Sequence, residues 1–288
     1  MINEITEKAA ECGINLYSVA VIDGEGLHKA KVQKANRCNN SYSVAKAFTM
    51  TAIGMLWDKG LISTEDKIHD IFKDEFPENY DPKWKTVTVD QALRHSIGFD
   101  SGFLDIDVEK ISDYGTDDFL SIVLSRPLPY EPGEKWVYSD AAFYLLSRVV
   151  SKISGQKLDD FMRPVLFGTL GFQELAWSVC PKGYPMGATG LYISSADMAK
   201  LGYAYACGGE YNGKTVVSSD WVDTALSRGY EFGQYKDTKV YAKGGMCGQM
   251  LCFSTKKRVS CAWHGFETEK DGGILLKQFV NSLEEKYN

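Results

Sequence analysis

The sequence predicts an α+β protein: one antiparallel sheet assembled from both ends of the chain, covered by the terminal helices, with a mostly helical subdomain inserted. Three observations carry this. Runs rich in β-branched and aromatic residues gather near the N-terminus (residues 16–22 and 27–32) and again near the C-terminus (239–242, 250–253 and 258–263). Between them, residues 61–185 are dominated by helical periodicity and caps. Both chain ends, residues 2–12 and 274–287, carry apolar positions at helical spacing, so each can lay one face on a sheet. The expected organisation is a single domain of two lobes, 1–40 plus 187–288 with the sheet and 41–186 mainly helical.

Taken in order, the first helix leads into a hairpin, because Asp23-Gly24 between two apolar runs favours a tight turn. A polar loop follows, and then an uncharged run from Ala47 to Trp57 that Gly60 is placed to end. A helix apolar on every side belongs in the interior. Thr88-Val89-Asp90-Gln91 reads as a capping box opening a helix through His95. A second short helix spans 117–124, stopped by Arg126-Pro127. Ser139 or Asp140 is the natural N-cap of the periodic run 141–153, which Gly155 ends. A short strand at 190–193 precedes a helix capped at Ser194-Ser195-Ala196-Asp197, and Ser219 is expected to cap another through Leu226.

Composition bounds the function. The 288 residues are 44% hydrophobic and 24% charged, an ordinary globular balance. Net charge is −6 and the pI about 5.4, so nucleic acid is not expected as a partner. No apolar run reaches membrane-spanning length. Residues 1–8 do not read as an export signal, and the seven cysteines, odd in number and without a C-x-x-C pair, read as reduced thiols. A cytoplasmic location is therefore expected. His28, His69, His95 and His264 are scattered without metal-ligand spacing, so neither a metal nor a cofactor is expected.

Ser43-Val44-Ala45-Lys46 opens the buried-looking helix. Residues three apart share a helix face, so the Ser43 hydroxyl and Lys46 amine can meet. A desolvated lysine can act as a base, and a serine beside a base is a candidate nucleophile. The backbone N–H of Ser43 is a candidate oxyanion donor. The same tetrapeptide pattern recurs at Ser154 and Ser254, but in polar surroundings. Tyr138 is set on a turn just ahead of a helix, a rigid place to present a phenol; packing on the core is the alternative role for it.

These motifs resemble the serine β-lactamase and penicillin-binding-protein superfamily, most closely the branch of class C β-lactamases, D,D-peptidases and family VIII esterases. Ser43 to Lys46 matches the first motif, and Pro132-Gly133 through Tyr138-Ser139-Asp140 is similar to the second, normally Tyr-x-Asn. Lys243-Gly244-Gly245 resembles the third, Lys-Thr-Gly. The stretches 87–98 and 187–197 resemble two further blocks. The resemblance implies a β-lactamase/transpeptidase-like fold and an acyl-enzyme at Ser43. Lys46 and Tyr138 would share the proton traffic, and Lys46 and Lys243 would be the cations flanking the phenol. An oxyanion hole would form from the N–H of Ser43 and one after Gly245, that of Met246.

Two departures bear on substrate. Asp140 stands where the family has asparagine; ionised aspartate accepts but cannot donate, and adds negative charge near Lys46. Gly244 removes the threonine hydroxyl of the third motif. The expectation is a serine hydrolase acting on a small ester or amide. The alternatives are a β-lactamase or D,D-peptidase taking a lactam or peptide, or a non-catalytic sensor module. Oligomeric state is not legible.

Overall fold

The computed structural model describes residues 1–270 and 273–287. The chain forms two compact units, Met1–Val44 with Leu166–Ala176 and Leu191–Asn288, and Ala45–Val165 with Trp177–Gly190. The sequence divided the chain at 40/41 and 186/187. In the structure residues 41–44 and 166–176 fall in the first unit, and 187–190 in the second.

The first unit is built on a six-stranded antiparallel sheet: β1 (Leu16–Asp23), β2 (Gly26–Lys31), β3 (Gly233–Gln234), β4 (Val240–Gly245), β5 (Gln249–Ser254) and β6 (Val259–Gly265). Their order is β2-β1-β6-β5-β4-β3, so strands from both termini meet where β1 pairs with β6. Every residue of β6 is buried. It alternates large and small, Val259, Cys261 and Trp263 on one face, Ser260 and Ala262 on the other. The large face joins Ile5 and Ala9 of α1 (Ile2–Glu11) and Leu275, Phe279 and Leu283 of the C-terminal helix Gly273–Tyr287. The small face admits the helix Ser195–Ala206: a Cβ on its Gly202 would lie 2.4 Å from Ser260 Oγ, so only glycine permits this approach.

The second unit is organised on α2 (Ala45–Asp58), buried at every residue from Ala45 to Leu56, and α3 (Asp140–Ser154) packed on it. The Thr88–Gln91 capping box is present, with reciprocal bonds of 3.1 and 2.8 Å. One local expectation is corrected. Ser218, not Ser219, caps the helix Ser219–Arg228, because its hydroxyl reaches the N–H of Trp221 three residues on. The short strand before Ser194 (Leu191–Ile193) lies outside the main sheet and pairs with Asn39–Asn40.

Candidate active site

In the first unit, Ser43 stands on a tight 3-10 turn, Tyr42–Val44, that runs directly into α2; the α-helix itself begins two residues later than the serine. The turn is tied at several points. The Ser41 N–H donates to Leu191 O at 2.9 Å, and the Tyr42 N–H to Asn40 Oδ1 at 2.9 Å. Tyr42 has φ 47°, a left-handed conformation that the surrounding bonds must hold. The end of β4 lies against the turn so closely that a Cβ on Gly245 would sit 2.5 Å from Ser41 O and 3.3 Å from Tyr42 Cβ. Gly245 is thus the residue that brings the sheet to the nucleophile candidate. Met246 follows at the start of a short 3-10 turn, Met246–Gly248, and is 40% exposed. Pairing of β3 with β4 stops at Ala242, so Lys243, Gly244 and Gly245 extend past the end of that neighbour.

Lys243 is not a solvated strand-end lysine. Its ammonium makes an ion pair with Glu231, a residue the sequence reading did not single out. Both side chains are withdrawn from solvent, 11% and 2% exposed.

In the second unit, Lys46 is fully buried. Its ammonium donates to Asp140 Oδ1 at 2.6 Å and to Ala188 O at 3.1 Å, and lies 4.6 Å from the centroid of the Tyr138 ring. Desolvating an ammonium is costly, and these acceptors and the ring face are its compensation. The loop carrying Ala188 is held on both sides: Thr49 donates to Gly187 O at 2.7 Å, and Trp177 Nε1 to Thr189 O at 3.0 Å.

Tyr138 is gripped from two directions. His95 packs on its ring at 4.5 Å between centroids, and His95 Nδ1 accepts the Ser139 N–H at 3.2 Å, which makes Nε2 the protonated nitrogen of a neutral ring. On the other side Gly102 passes so close that a Cβ would meet Tyr138 O at 2.6 Å. Of the two N-cap candidates, Ser139 occupies the cap position but makes no side-chain cap bond; Asp140 is the first residue of α3, and its carboxylate turns to Lys46.

Asp105 and Asp107 were also missed by sequence reasoning. Among the described residues their carboxylates and that of Asp140 come within 4.8 Å of one another. Burial, reinforced by the charges of Asp140 and Asp107, pushes the Asp105 carboxyl above the usual carboxylate range. Such oxygens suit a hard cation, but each carboxylate already has a donor. Lys46 serves Asp140, Thr189 Oγ1 serves Asp107, and the Asp107 N–H serves Asp105 at 3.1 Å. No spacing in Asp105-Ile106-Asp107 points to Asp140, 35 and 33 residues further on, so no local signal could have found the pair.

A sheet drawn from both termini, with a serine at the entry of a buried helix and a lysine one turn along it, is the arrangement expected of a β-lactamase/transpeptidase-like fold. The sequence profile of the Beta-lactamase family matches residues 2–264, and the chain belongs to that family. It is 30% identical over 175 residues to penicillin-binding protein 4* of Bacillus subtilis (strain 168), covering 59% of this chain and 37% of that protein. It is 28% identical over 175 residues to an N-acetylmuramyl-L-alanine amidase of the same strain, covering 58% of this chain and 40% of the amidase. The chain thus spans well under half the length of these curated relatives. Among solved structures it is similar to an octameric penicillin-binding protein homologue from Pyrococcus abyssi, with TM-score 0.76 and 18% identity over 99% of this chain and 77% of that one. It is also similar to a family VIII carboxylesterase, with TM-score 0.73 and 14% identity over 97% and 96% of the two chains. These likenesses establish the β-lactamase/transpeptidase-like fold. Among the described residues no helix is long and apolar enough to cross a membrane.

Proposed function

We propose that the protein is a serine hydrolase that acts through an acyl-enzyme at Ser43 on a small ester or amide. The observation that carries the reading is the environment of Lys46: a fully buried ammonium, one helical turn along the chain from Ser43, held between Asp140 and the face of Tyr138. Burying a lysine is costly, and a proton-transfer role is the functional return that explains it. In this reading Ser43 Oγ attacks the carbonyl carbon as Lys46, in its neutral amine form, takes the hydroxyl proton, which then passes through Tyr138 to the leaving group. The backbone N–H groups of Ser43 and Met246 stabilise the oxyanion. Gly245 sets their spacing by letting β4 approach the serine turn.

Ester or simple amide substrates are favoured over penicillins because Asp140, engaged by Lys46, offers no donor to an acylamino carbonyl. The family VIII carboxylesterase among its structural neighbours is consistent with this choice. The seven cysteines, all unpaired with one another, support a reducing, cytoplasmic setting. One observation favours the non-catalytic alternative: both candidate cations already carry a carboxylate, Lys46 with Asp140 and Lys243 with Glu231. A fluorophosphonate probe with adduct mapping by mass spectrometry separates the readings. Labelling at Ser43, lost in Ser43→Ala along with p-nitrophenyl ester turnover, supports the hydrolase. Labelling at a different serine removes the mechanism, and absence of both labelling and turnover supports the sensor.

A further inference from the structure

Lys243 belongs to the stretch that resembles the third motif, but its partner Glu231 lies in none of the motifs read in the sequence, and the pair's position gives it a consequence for substrate choice. Glu231 lies between Gly229, which ends the helix Ser219–Arg228, and β3. Its neighbours Tyr230 and Phe232 are buried at 0% and 1% exposure and anchor the segment. Glu231 itself has φ 50°, a left-handed conformation unfavourable for a residue with a Cβ. The packing on either side sustains that conformation, and the carboxylate reaches Lys243 with only 2% of its side chain exposed.

Lys243 sits two residues before Gly245 on β4, so the two share a face of the strand. The face of Gly245 is the one that meets Ser41 and Tyr42, the turn bearing Ser43. Lys243 is therefore the strand cation on the nucleophile's side. An unpaired lysine there would attract an anionic substrate group; a lysine already neutralised by a buried carboxylate does not, and the carboxylate repels a second one. The adjacent strand position supplies no replacement: Gly244 has no side chain to donate, and the nearest atom to a Cβ built there is 3.7 Å away.

We infer that Glu231 is a specificity-determining residue, which cancels the charge of Lys243 and restricts the site to substrates uncharged on the portion that reaches β4. This rests on the reading of Ser43 as the nucleophile. It names the substrate class within that reading: neutral esters or amides, in place of molecules ending in a free carboxylate.

Arylboronic acids test it without requiring turnover, since they bind a nucleophilic serine reversibly. Phenylboronic acid and 3-carboxyphenylboronic acid are titrated by calorimetry into the wild type, Ser43→Ala and Glu231→Gln, with a thermal melt to confirm folding. The expected wild-type result is Ser43-dependent binding of the neutral boronate at least about tenfold tighter than of the carboxylated one. Glu231→Gln, which keeps size and hydrogen bonding but removes the charge, is expected to tighten the carboxylated boronate by about tenfold or more while leaving the neutral one within about threefold. Equal or tighter wild-type binding of the carboxylated boronate overturns the inference, and this ranking needs no variant. Folded Glu231→Gln with unchanged discrimination overturns it as well. Binding of neither boronate at Ser43 overturns the inference together with the hydrolase reading; binding at Ser43 with the opposite ranking overturns the inference alone.

Discussion

The Lys46 ammonium lies 2.6 Å from Asp140 Oδ1, both groups almost wholly removed from solvent and 94 residues apart in sequence. The pair joins the first turn of α2 to the first residue of α3, so one contact serves both packing and charge placement. Its two roles separate experimentally. Lys46→Met leaves Asp140 buried without its cation and is expected to destabilise by about 3–5 kcal/mol, as loss of one partner of a buried pair does. Lys46→Met combined with Asp140→Leu is expected to recover most of that loss in denaturant titrations, while any ester turnover stays abolished. A double variant as unstable as the single would mean the cost lies in packing around α2 and not in the orphaned charge.

Asp140→Asn changes the chemistry more gently. The amide still offers Lys46 an acceptor, so a stability loss of about 2 kcal/mol is expected. It also introduces a donor, and acylation by a fluorescent penicillin is expected to rise. Unchanged or lower labelling would show that this position does not limit lactam recognition.

The two glycines of the third motif are expected to differ sharply. Gly245→Ala would press a methyl group to 2.5 Å from Ser41 O, where backbone must give way. A loss of about 1–3 kcal/mol is expected, with displacement of the Ser43 turn and loss of probe labelling. Gly244→Ala meets nothing nearer than 3.7 Å and is expected to melt within about 2 °C of the wild type. Thermal melts and labelling of the two variants side by side check the contrast. Equal tolerance at both positions would mean that the approach of β4 to the turn is not required.

Asp105 predicts a pH dependence. Burial and the neighbouring carboxylates of Asp140 and Asp107 raise its folded-state value, with Lys46 opposing them. An acid raised on folding holds more protons folded than unfolded across the window between its two values. Its favourable contribution is therefore present below the ordinary value near 3.8 and is lost as pH rises through the raised one. Asp105→Asn is accordingly expected to stabilise the protein at pH 7 and to have its smallest effect near pH 3.5. Measured melting points that show the reverse order would remove the burial account of this residue.

Much of the architecture was legible because it is written in local pattern. Alternation and turn chemistry located β1 and β2, the uncharged run located α2, and Thr88 with Gln91 announced their own cap. Small errors arose where neighbouring residues compete for one role, as Ser218 and Ser219 do; only backbone direction decides which hydroxyl faces the N–H three residues on. His95, notable in the sequence only for lacking metal-ligand spacing, makes the contacts that fix Tyr138.

The sequence by itself determined the fold class, the family, and three motifs holding a serine, a lysine and a tyrosine, because each is a pattern readable within a few consecutive residues. Only the tertiary structure decided the charge partners: Glu231 on Lys243, Asp105 and Asp107 beside Asp140, and Tyr138 beneath the Lys46 ammonium. The physical reason is that electrostatic partnership depends on distance and burial. Chain folding sets both between residues whose separation in sequence carries no periodic signature.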